Sequence, residues 1–188
     1  MMGSRALLVA AALLAGMLCP PRPAAEAAAP RIGGPFSLVR LDGTPVTDET
    51  YRGKWLVLYF GYTYCPDACP TALNAIGAAL ARLGPRAADI EPLFITVDPA
   101  RDTTAVLTEY VKAFDPRIVA LRGTSEQTAD AARAYRVYYK ARELGQGDYA
   151  IDHSSFIYVV DPKGTFVKLL TADLPGHQLA DELKRLMR

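Results

Sequence analysis

The sequence is poor in the residues from which metal and redox sites are usually built. Its 188 residues include three cysteines, two histidines and four methionines. There is also almost no excess of charge, since the formal net charge is +1 at pH 7. Domains that bind nucleic acid usually have a basic excess concentrated on one face. The composition therefore argues against a nucleic-acid partner and leaves few side chains from which a reactive site could form.

The sequence also has no apolar run of comfortable membrane-spanning length at its start. The run from Ala6 to Leu18 is uncharged but has thirteen residues, whereas a membrane-spanning helix needs about 20. It follows Arg5 and precedes an alanine-rich tail. A positive charge, a short apolar run and a small-residue tail are typical of a secretory signal peptide. Cys19 leaves a lipidated anchor open, although Leu18 precedes it where lipoproteins have a small residue.

We therefore assign residues 1–29 to a signal peptide or an N-terminal membrane anchor, and residues 30–188 to one globular domain. This division predicts an exported protein of the bacterial periplasm, soluble or anchored to the inner membrane, in a compartment where disulfides persist. Removing the leader would remove Cys19 and leave Cys65 and Cys69 as the remaining cysteines. Met187 would be the remaining methionine.

The hydrophobic pattern after residue 30 predicts strands alternating with helices. Residues 36–46 predict a hairpin around the turn pair Asp42-Gly43, and the apolar run Trp55–Phe60 predicts a central strand covered on both faces. We expect residues 142–152 to form a loop. The other predicted strands are 90–97, 119–121, 156–160 and 165–170, and the predicted helices are 70–83, 102–114, 124–135 and one after Pro175-Gly176. This order implies an α/β fold with a mixed central sheet flanked by helices.

The two remaining cysteines lie four residues apart, directly after the predicted central strand. We expect the next helix to begin at Pro70, with Cys69 at or beside its N-cap. The positive end of the helix dipole stabilises a thiolate and lowers the pKa of the thiol. A structural disulfide between Cys65 and Cys69 is the alternative, but a bridge that closes so short a loop adds comparatively little stability.

The two histidines receive different interpretations. We interpret His177, near the start of the last helix, as a surface or satisfied core residue, whereas His153 could face the cysteines from the start of a strand in the same sheet. Two thiolates and one imidazole are too few for a closed tetrahedral zinc site. They suit Cu(I), and can hold Cu(II) with a further ligand. With Met187 as the one methionine outside the leader, the domain cannot be a methionine-rich copper carrier.

Polar and aromatic residues near these positions have two candidate roles each. Asp152 either orients the ring of His153 or lies at the surface, because neighbouring side chains on an extended chain point to opposite sides. Asp98 and the pair Arg101-Asp102 follow a central strand at the edge expected to carry the site, so they either support the site or, as we favour, form helix caps and a solvated ion pair. Asp102 or Thr103 would cap the next helix. Two tyrosines beside the cysteines either line the site or cover the core: Tyr62 and Tyr64.

The sequence resembles the Sco/SenC family from about Gly33 to Leu170. The resemblance rests on three motifs that occur in the family's order: Gly61-Tyr62-Thr63-Tyr64-Cys65-Pro66-Asp67-Ala68-Cys69-Pro70, Val97-Asp98-Pro99-Ala100-Arg101-Asp102-Thr103 and Asp152-His153-Ser154-Ser155. It implies a thioredoxin-like fold and a copper site whose ligands are Cys65, Cys69 and His153. Members usually keep an N-terminal membrane helix, and the short leader here departs from that pattern.

The resemblance also implies a role in the assembly of cytochrome c oxidase. The partner would be the CuA centre of subunit II, and another periplasmic copper carrier is a possible donor. We therefore predict a copper metallochaperone, which is a carrier rather than a turnover enzyme. The alternative is a thiol–disulfide oxidoreductase with Cys65 and Cys69 as its catalytic redox pair. General oxidoreductases of this fold have a C-x-x-C spacing instead. A peroxidase and a purely structural exported module are the remaining alternatives.

Overall fold

The structure is a computed structural model and describes residues 31–188. The predicted signal peptide or anchor, with Cys19, lies outside these residues. Within the described range, none of the helices has the length and apolarity that crossing a membrane would require.

A mixed sheet of seven strands forms the centre of the described domain, in the order β2-β1-β5-β4-β3-β8-β9. Strands β3, β4 and β5 run parallel, and the outer pairs are antiparallel. Strands β6 and β7 pair only with each other, as a separate hairpin. The strands are β1 (Ser37–Arg40), β2 (Pro45–Thr47), β3 (Trp55–Gly61), β4 (Ile90–Thr96), β5 (Val119–Arg122), β6 (Tyr139–Gly145), β7 (Asp148–His153), β8 (Phe156–Val160) and β9 (Phe166–Thr171).

Four α-helices flank the sheet: α1 (Ala68–Leu83), α2 (Thr104–Val111), α3 (Ser125–Ala134) and α4 (Gly176–Leu186). Two short 3-10 helices cover Asp48–Tyr51 and Gly84–Asp89. Helices α1 and α4 pack against each other. They approach so closely at Gly176 that an added Cβ would lie 2.6 Å from the Cβ of Ala78.

Strand β3 is the most enclosed element of the sheet. It lies between β4 and β8, and its residues from Leu56 to Gly61 are buried. Burial on both faces explains why its sequence is continuously apolar rather than alternating. The rings of Phe60, Tyr135 and Tyr158 pack together beside it, with centroids 5.6 to 5.7 Å apart. This rigid strand ends where the cysteine motif begins.

The predicted fold class and the N-terminal hairpin are confirmed, but several elements have other bounds and one predicted loop is a hairpin. Helix α1 begins at Ala68 instead of Pro70, which a proline tolerates because the first-turn amides have no partner inside the helix. Helix α2 ends at Val111 instead of Phe114. Residues 142–152 are not a loop but belong to the hairpin of β6 and β7.

Candidate metal centre

The structure brings the three predicted site residues together. The sulfur atoms of Cys65 and Cys69 and a ring nitrogen of His153 all lie within 4.8 Å of one another. The Sγ of Cys69 is 3.7 Å from Nε2 of His153. Within residues 31–188 this is the one group of three or more candidate ligands that could hold a metal ion. His177 is exposed on α4, so of its two predicted places, surface or core, the surface is the correct one.

Cys65 lies in the loop that joins β3 to α1. Its side chain is 8% exposed, and its Sγ accepts a hydrogen bond of 3.4 Å from the backbone amide of Cys69 in the first turn of α1. A hydrogen bond from the Cys69 thiol is the main reason that the pKa of Cys65 is lowered to about 4. His153 and the amides of Cys69 and Asp67 contribute to the same shift, against the opposing effect of burial.

Cys69 is the second residue of α1 and is completely buried. The neighbouring Cys65 sulfur and burial both raise the pKa of Cys69, because a second thiolate in this space would be repelled and poorly solvated. The Tyr59 hydroxyl donates to its Sγ at 3.8 Å. The pKa of Cys65 therefore lies below that of Cys69, and Cys65 is the first of the two to ionise in the metal-free protein.

Glycine is required at the end of β3 by the close approach of Cys69. A Cβ added at Gly61 would lie 2.6 Å from the Cys69 sulfur and 2.9 Å from the Phe94 ring. Real Cβ atoms essentially never approach other atoms so closely, so any larger residue would displace the sulfur or the ring.

His153 is the last residue of β7 and is partly buried. Its Nδ1 lies 3.1 Å from the carbonyl oxygen of Ser154. Because a carbonyl only accepts, Nδ1 donates its hydrogen in this contact and Nε2 is the ring nitrogen left to bind a metal. The rings of Tyr59 and Tyr62 meet the imidazole edge-on, with centroids 6.2 and 5.8 Å away.

Asp152 does not orient the imidazole. Its carboxylate is largely exposed and lies 3.4 Å from Nε of Arg142 on the paired strand. Successive side chains of a strand point to opposite faces, so Asp152 points away when His153 points inward. The surface interpretation of Asp152 is therefore the correct one, and the backbone carbonyl of Ser154 orients the ring instead.

Of the two predicted caps of α2, Asp102 is wrong and Thr103 is correct. Thr103 is the N-cap of α2, and its side chain accepts a hydrogen bond from the amide of Val106. The Asp102 carboxylate is completely buried and accepts hydrogen bonds from the hydroxyls of Thr63 and Thr96, both at 2.5 Å, and from the Thr63 amide at 3.1 Å. It therefore anchors the loop that leads to Cys65 onto the end of β4.

The shorter ion pair of Arg101 is made with the buried Asp98 and is not solvated; a second, with Asp148, lies at the surface. The Asp98 side chain is 3% exposed, and its Oδ2 lies 2.6 Å from Nε of Arg101. The hydroxyl of Tyr149 donates to the other oxygen of Asp98 at 2.9 Å. The pattern of charges near residue 100 gave no sign that these side chains are enclosed, because Tyr149 comes from a segment predicted to be a loop.

The two motif tyrosines have different roles. Tyr62 is 3% exposed and lies beside His153, so it lines the site. Tyr64 is 59% exposed, directly before Cys65.

The donor set fits a soft, low-coordinate metal ion. Two sulfurs and one imidazole nitrogen provide three ligands from three different positions of the chain. Structural zinc sites almost always have four protein ligands, whereas thiolates with an imidazole suit copper. The site therefore has the chemistry of a copper site with an open position.

Comparison with known proteins assigns the chain to a family. The family model described as SCO1/SenC matches residues 24–188. The chain belongs to the SCO1/SenC family. It is similar to the mitochondrial SCO1 homolog 1 of Arabidopsis thaliana, with 43% identity over 84% of this chain and 47% of the relative. It is also similar to the protein SenC of Rhodobacter capsulatus, with 42% identity over 83% of this chain and 71% of the relative.

Solved structures of SCO1/SenC proteins share the fold. ScoI of Bradyrhizobium japonicum with copper bound has a TM-score of 0.77 and 41% identity, covering 82% of this chain and 98% of that chain. ScoI of Arabidopsis thaliana with copper bound has a TM-score of 0.78 and 43% identity, covering 84% and 98%. The thioredoxin-like fold is thereby confirmed. The chain spans 47% to 59% of the length of the mitochondrial relatives from plant and mammals that it matches.

Proposed function

We propose that this chain is a copper metallochaperone that binds Cu(I) and Cu(II) through Cys65, Cys69 and His153. The observation that supports the proposal is the convergence of two sulfurs and an imidazole nitrogen within 4.8 Å. SCO1/SenC relatives that are about 40% identical have been solved with copper bound. Residues 30–188 are then the copper-binding domain.

Copper is the cargo in this proposal, and each ligand has a distinct part in holding it. Cys65 offers a preformed thiolate, because the pKa of its thiol is lowered to about 4. Cys69 must release its proton when copper binds, and copper compensates for that loss by neutralising the second thiolate. His153 supplies Nε2. Transfer would proceed by ligand exchange, as an acceptor thiolate takes the place of one of these ligands without any change in oxidation state.

The acceptor in this proposal is the CuA centre of cytochrome c oxidase subunit II, and the donor is another periplasmic copper carrier. The three motifs shared with the Sco/SenC family support this assignment. The leader at residues 1–29 would export the domain to the periplasm or keep it at the inner membrane. SenC, a bacterial relative with 42% identity, makes a bacterial setting reasonable.

The decisive experiment is a copper titration of the purified, reduced protein. We expect one equivalent of copper to bind, with thiolate-to-Cu(II) charge-transfer absorption. His153→Ala should weaken Cu(II) binding at least about tenfold, since even indirect partners of metal ligands contribute about 10–100-fold. His177→Ala is the matched control, because this histidine is exposed on α4. Unchanged binding by His153→Ala would show that the ligand assignment is wrong.

The unequal cysteines favour thiol–disulfide exchange as a second candidate function. The Cys65 thiolate would attack a disulfide of the acceptor and form a mixed disulfide, releasing one acceptor thiol. Cys69 would then lose its proton and attack the Cys65 sulfur, releasing the second acceptor thiol. The acceptor gains two electrons, and the Cys65–Cys69 pair is oxidised to a disulfide.

A separate assay tests this second role. Reduction of a disulfide-containing peptide from an acceptor should continue without metal and in His153→Ala. Cys69→Ala should instead stop at the mixed disulfide, which mass spectrometry detects. If the peptide stays oxidised in the presence of the reduced protein, thiol exchange is not a function of this site.

A further inference from the structure

The hairpin of residues 139–153, called the ligand hairpin below, holds His153 outside the main sheet. Its strands β6 and β7 pair only with each other. A cavity of about 230 Å³ separates part of the hairpin from the loop after β4, lined by Pro99, Thr128 and Tyr149 among others. The hairpin has no ladder bonds to the main sheet, so beyond the burial of Ile151 it depends on a few specific contacts to place its histidine.

Arg101 makes several of those contacts. Its Nη1 donates to the carbonyl oxygen of Tyr149 at 2.7 Å and lies 3.3 Å from the carboxylate of Asp148. Its guanidinium also lies 3.6 Å from the centroid of the Tyr149 ring. Asp98 completes the arrangement, because it binds Nε of Arg101 and accepts from the Tyr149 hydroxyl.

The same guanidinium reaches the cysteine loop. It lies 4.7 Å from the ring centroid of Tyr64 and 5.8 Å from that of Tyr62. Tyr64 directly precedes Cys65, and the Tyr62 hydroxyl accepts a hydrogen bond of 3.2 Å from the amide of Ile151 in the ligand hairpin. One side chain thus contacts both segments that supply the metal ligands.

We propose that Arg101 is a positioning residue that holds the ligand hairpin against the cysteine loop and so sets the place of His153. The proposal rests on the ligand set of the proposed function. Arginine suits this role because its planar group donates several hydrogen bonds while its faces stack on aromatic rings. Lysine keeps the charge but has neither the fork of donors nor the stacking face.

The test compares Arg101→Lys with Arg117→Lys in the full chain. Arg117 also forms a close ion pair, with Asp115 at 2.6 Å, but it lies in the turn before β5 and contacts α1 rather than the ligand hairpin. We expect Arg101→Lys to weaken Cu(II) binding about tenfold, as for other indirect partners of metal ligands. Arg117→Lys should leave it unchanged.

A measurement on the metal-free protein tests whether Arg101 holds the ligand hairpin, independently of copper binding. Hydrogen exchange of the Ile151 amide, which bonds to Tyr62, should become faster in Arg101→Lys and stay unchanged in Arg117→Lys. Equal exchange in the two variants would overturn the proposal. Should Arg101→Lys fail to fold, Tyr149→Phe removes only the hydroxyl contact with Asp98. It should weaken Cu(II) binding about threefold, and no loss would overturn the proposal.

A double-mutant cycle separates this proposal from the function on which it rests. Arg101→Lys should change copper binding by less than about twofold in a His153→Ala background, because residues that act through one another are not additive. An equal loss in both backgrounds would show that Arg101 does not act through His153. If His153→Ala alone binds copper normally, the ligand assignment fails, whereas hydrogen exchange still decides whether Arg101 clamps the hairpin.

Discussion

The two halves of the site are built from elements of unequal rigidity. Cys65 and Cys69 follow β3, which is hydrogen-bonded on both sides and buried from Leu56 onward. His153 ends a two-stranded hairpin that is not hydrogen-bonded into the main sheet. The sulfurs are therefore set by the core, and the imidazole is set by a small number of polar and aromatic contacts. We therefore expect the thiolates to be the more rigidly held ligands of this site and the imidazole to be the more adjustable one.

We expect the largest loss of stability and copper binding from a substitution that crowds the cysteine side of the site, at the end of β3. Gly61→Ala would bring a Cβ to within 2.6 Å of the Cys69 sulfur. We expect a loss of about 1–3 kcal/mol in the free energy of unfolding, measured with urea, together with weaker copper binding. The control is Gly34→Ala, whose Cβ would make an ordinary 3.5 Å contact with Ala134. Equal stability of the two variants would contradict the view that the core fixes the sulfur.

The next largest effect distinguishes the two thiols. In the metal-free, reduced protein, Cys65 should react with iodoacetamide at least about tenfold faster than Cys69, since the thiolate is the nucleophile. A pKa lowered to about 4 keeps Cys65 ionised as the pH falls, until its alkylation slows near that value. Cys69 is fully buried with a raised pKa and should react slowly throughout. Peptide mapping by mass spectrometry gives both rates, and similar rates would rule out the asymmetry.

A third prediction concerns the anchor of the cysteine loop. Burial raises the pKa of Asp102 above its ordinary value of 3.8, so its contribution to stability is present at lower pH and is lost as the pH rises through the raised pKa. The urea midpoint of the wild-type protein should therefore fall relative to that of Asp102→Asn from about pH 4 to neutrality.

The contribution of Asp115 to stability should change with pH in the opposite direction, so Asp115 serves as the control for Asp102. Hydrogen bonds from Arg117 lower the pKa of Asp115, so its contribution is present above the ordinary pKa and lost in acid. Asp115→Asn should cost more stability near neutrality than at low pH. The same pH trend in both variants would contradict the assigned environments.

The smallest effect is expected on the exposed side of the ligand hairpin. Asp152→Asn removes an exposed ion pair with Arg142, and such pairs contribute about 0–1 kcal/mol. Copper affinity should change by less than about twofold, because the Ser154 carbonyl, rather than Asp152, contacts the His153 ring. A copper titration beside that of His153→Ala measures the difference. A large loss would mean that the carboxylate acts on the imidazole after all.

The rigid half was far easier to predict from the sequence than the hairpin. The apolar run of β3 and the helical spacing of α1 report burial directly, so the cysteine motif was placed correctly. Residues 140–148 of the hairpin are exposed, so no apolar alternation marks their strands. The turn has positive φ at Gly145, Gln146 and Gly147, and its two glycines suggested a loop.

The supporting residues escaped prediction for a related reason. Asp102 stands just before a helix, where aspartate commonly caps, and nothing local indicates that its partners are Thr63 and Thr96 from two other segments. Arg101 and Asp98 meet residues of a hairpin that was not predicted. Apart from the contact with Thr96, these contacts join residues 39 to 51 positions apart, and short-range patterns contain no information about them.

The unequal exposure of the two cysteines gives the proposed handover a direction. Cys69 is completely buried, whereas Cys65 is 8% exposed. A thiolate of the acceptor would therefore approach the copper ion from the side of Cys65 and the partly buried His153. Ligand exchange from that side would detach Cys65 and His153 from copper first and Cys69 last. The ion would then pass to the acceptor in steps, without being free in solution.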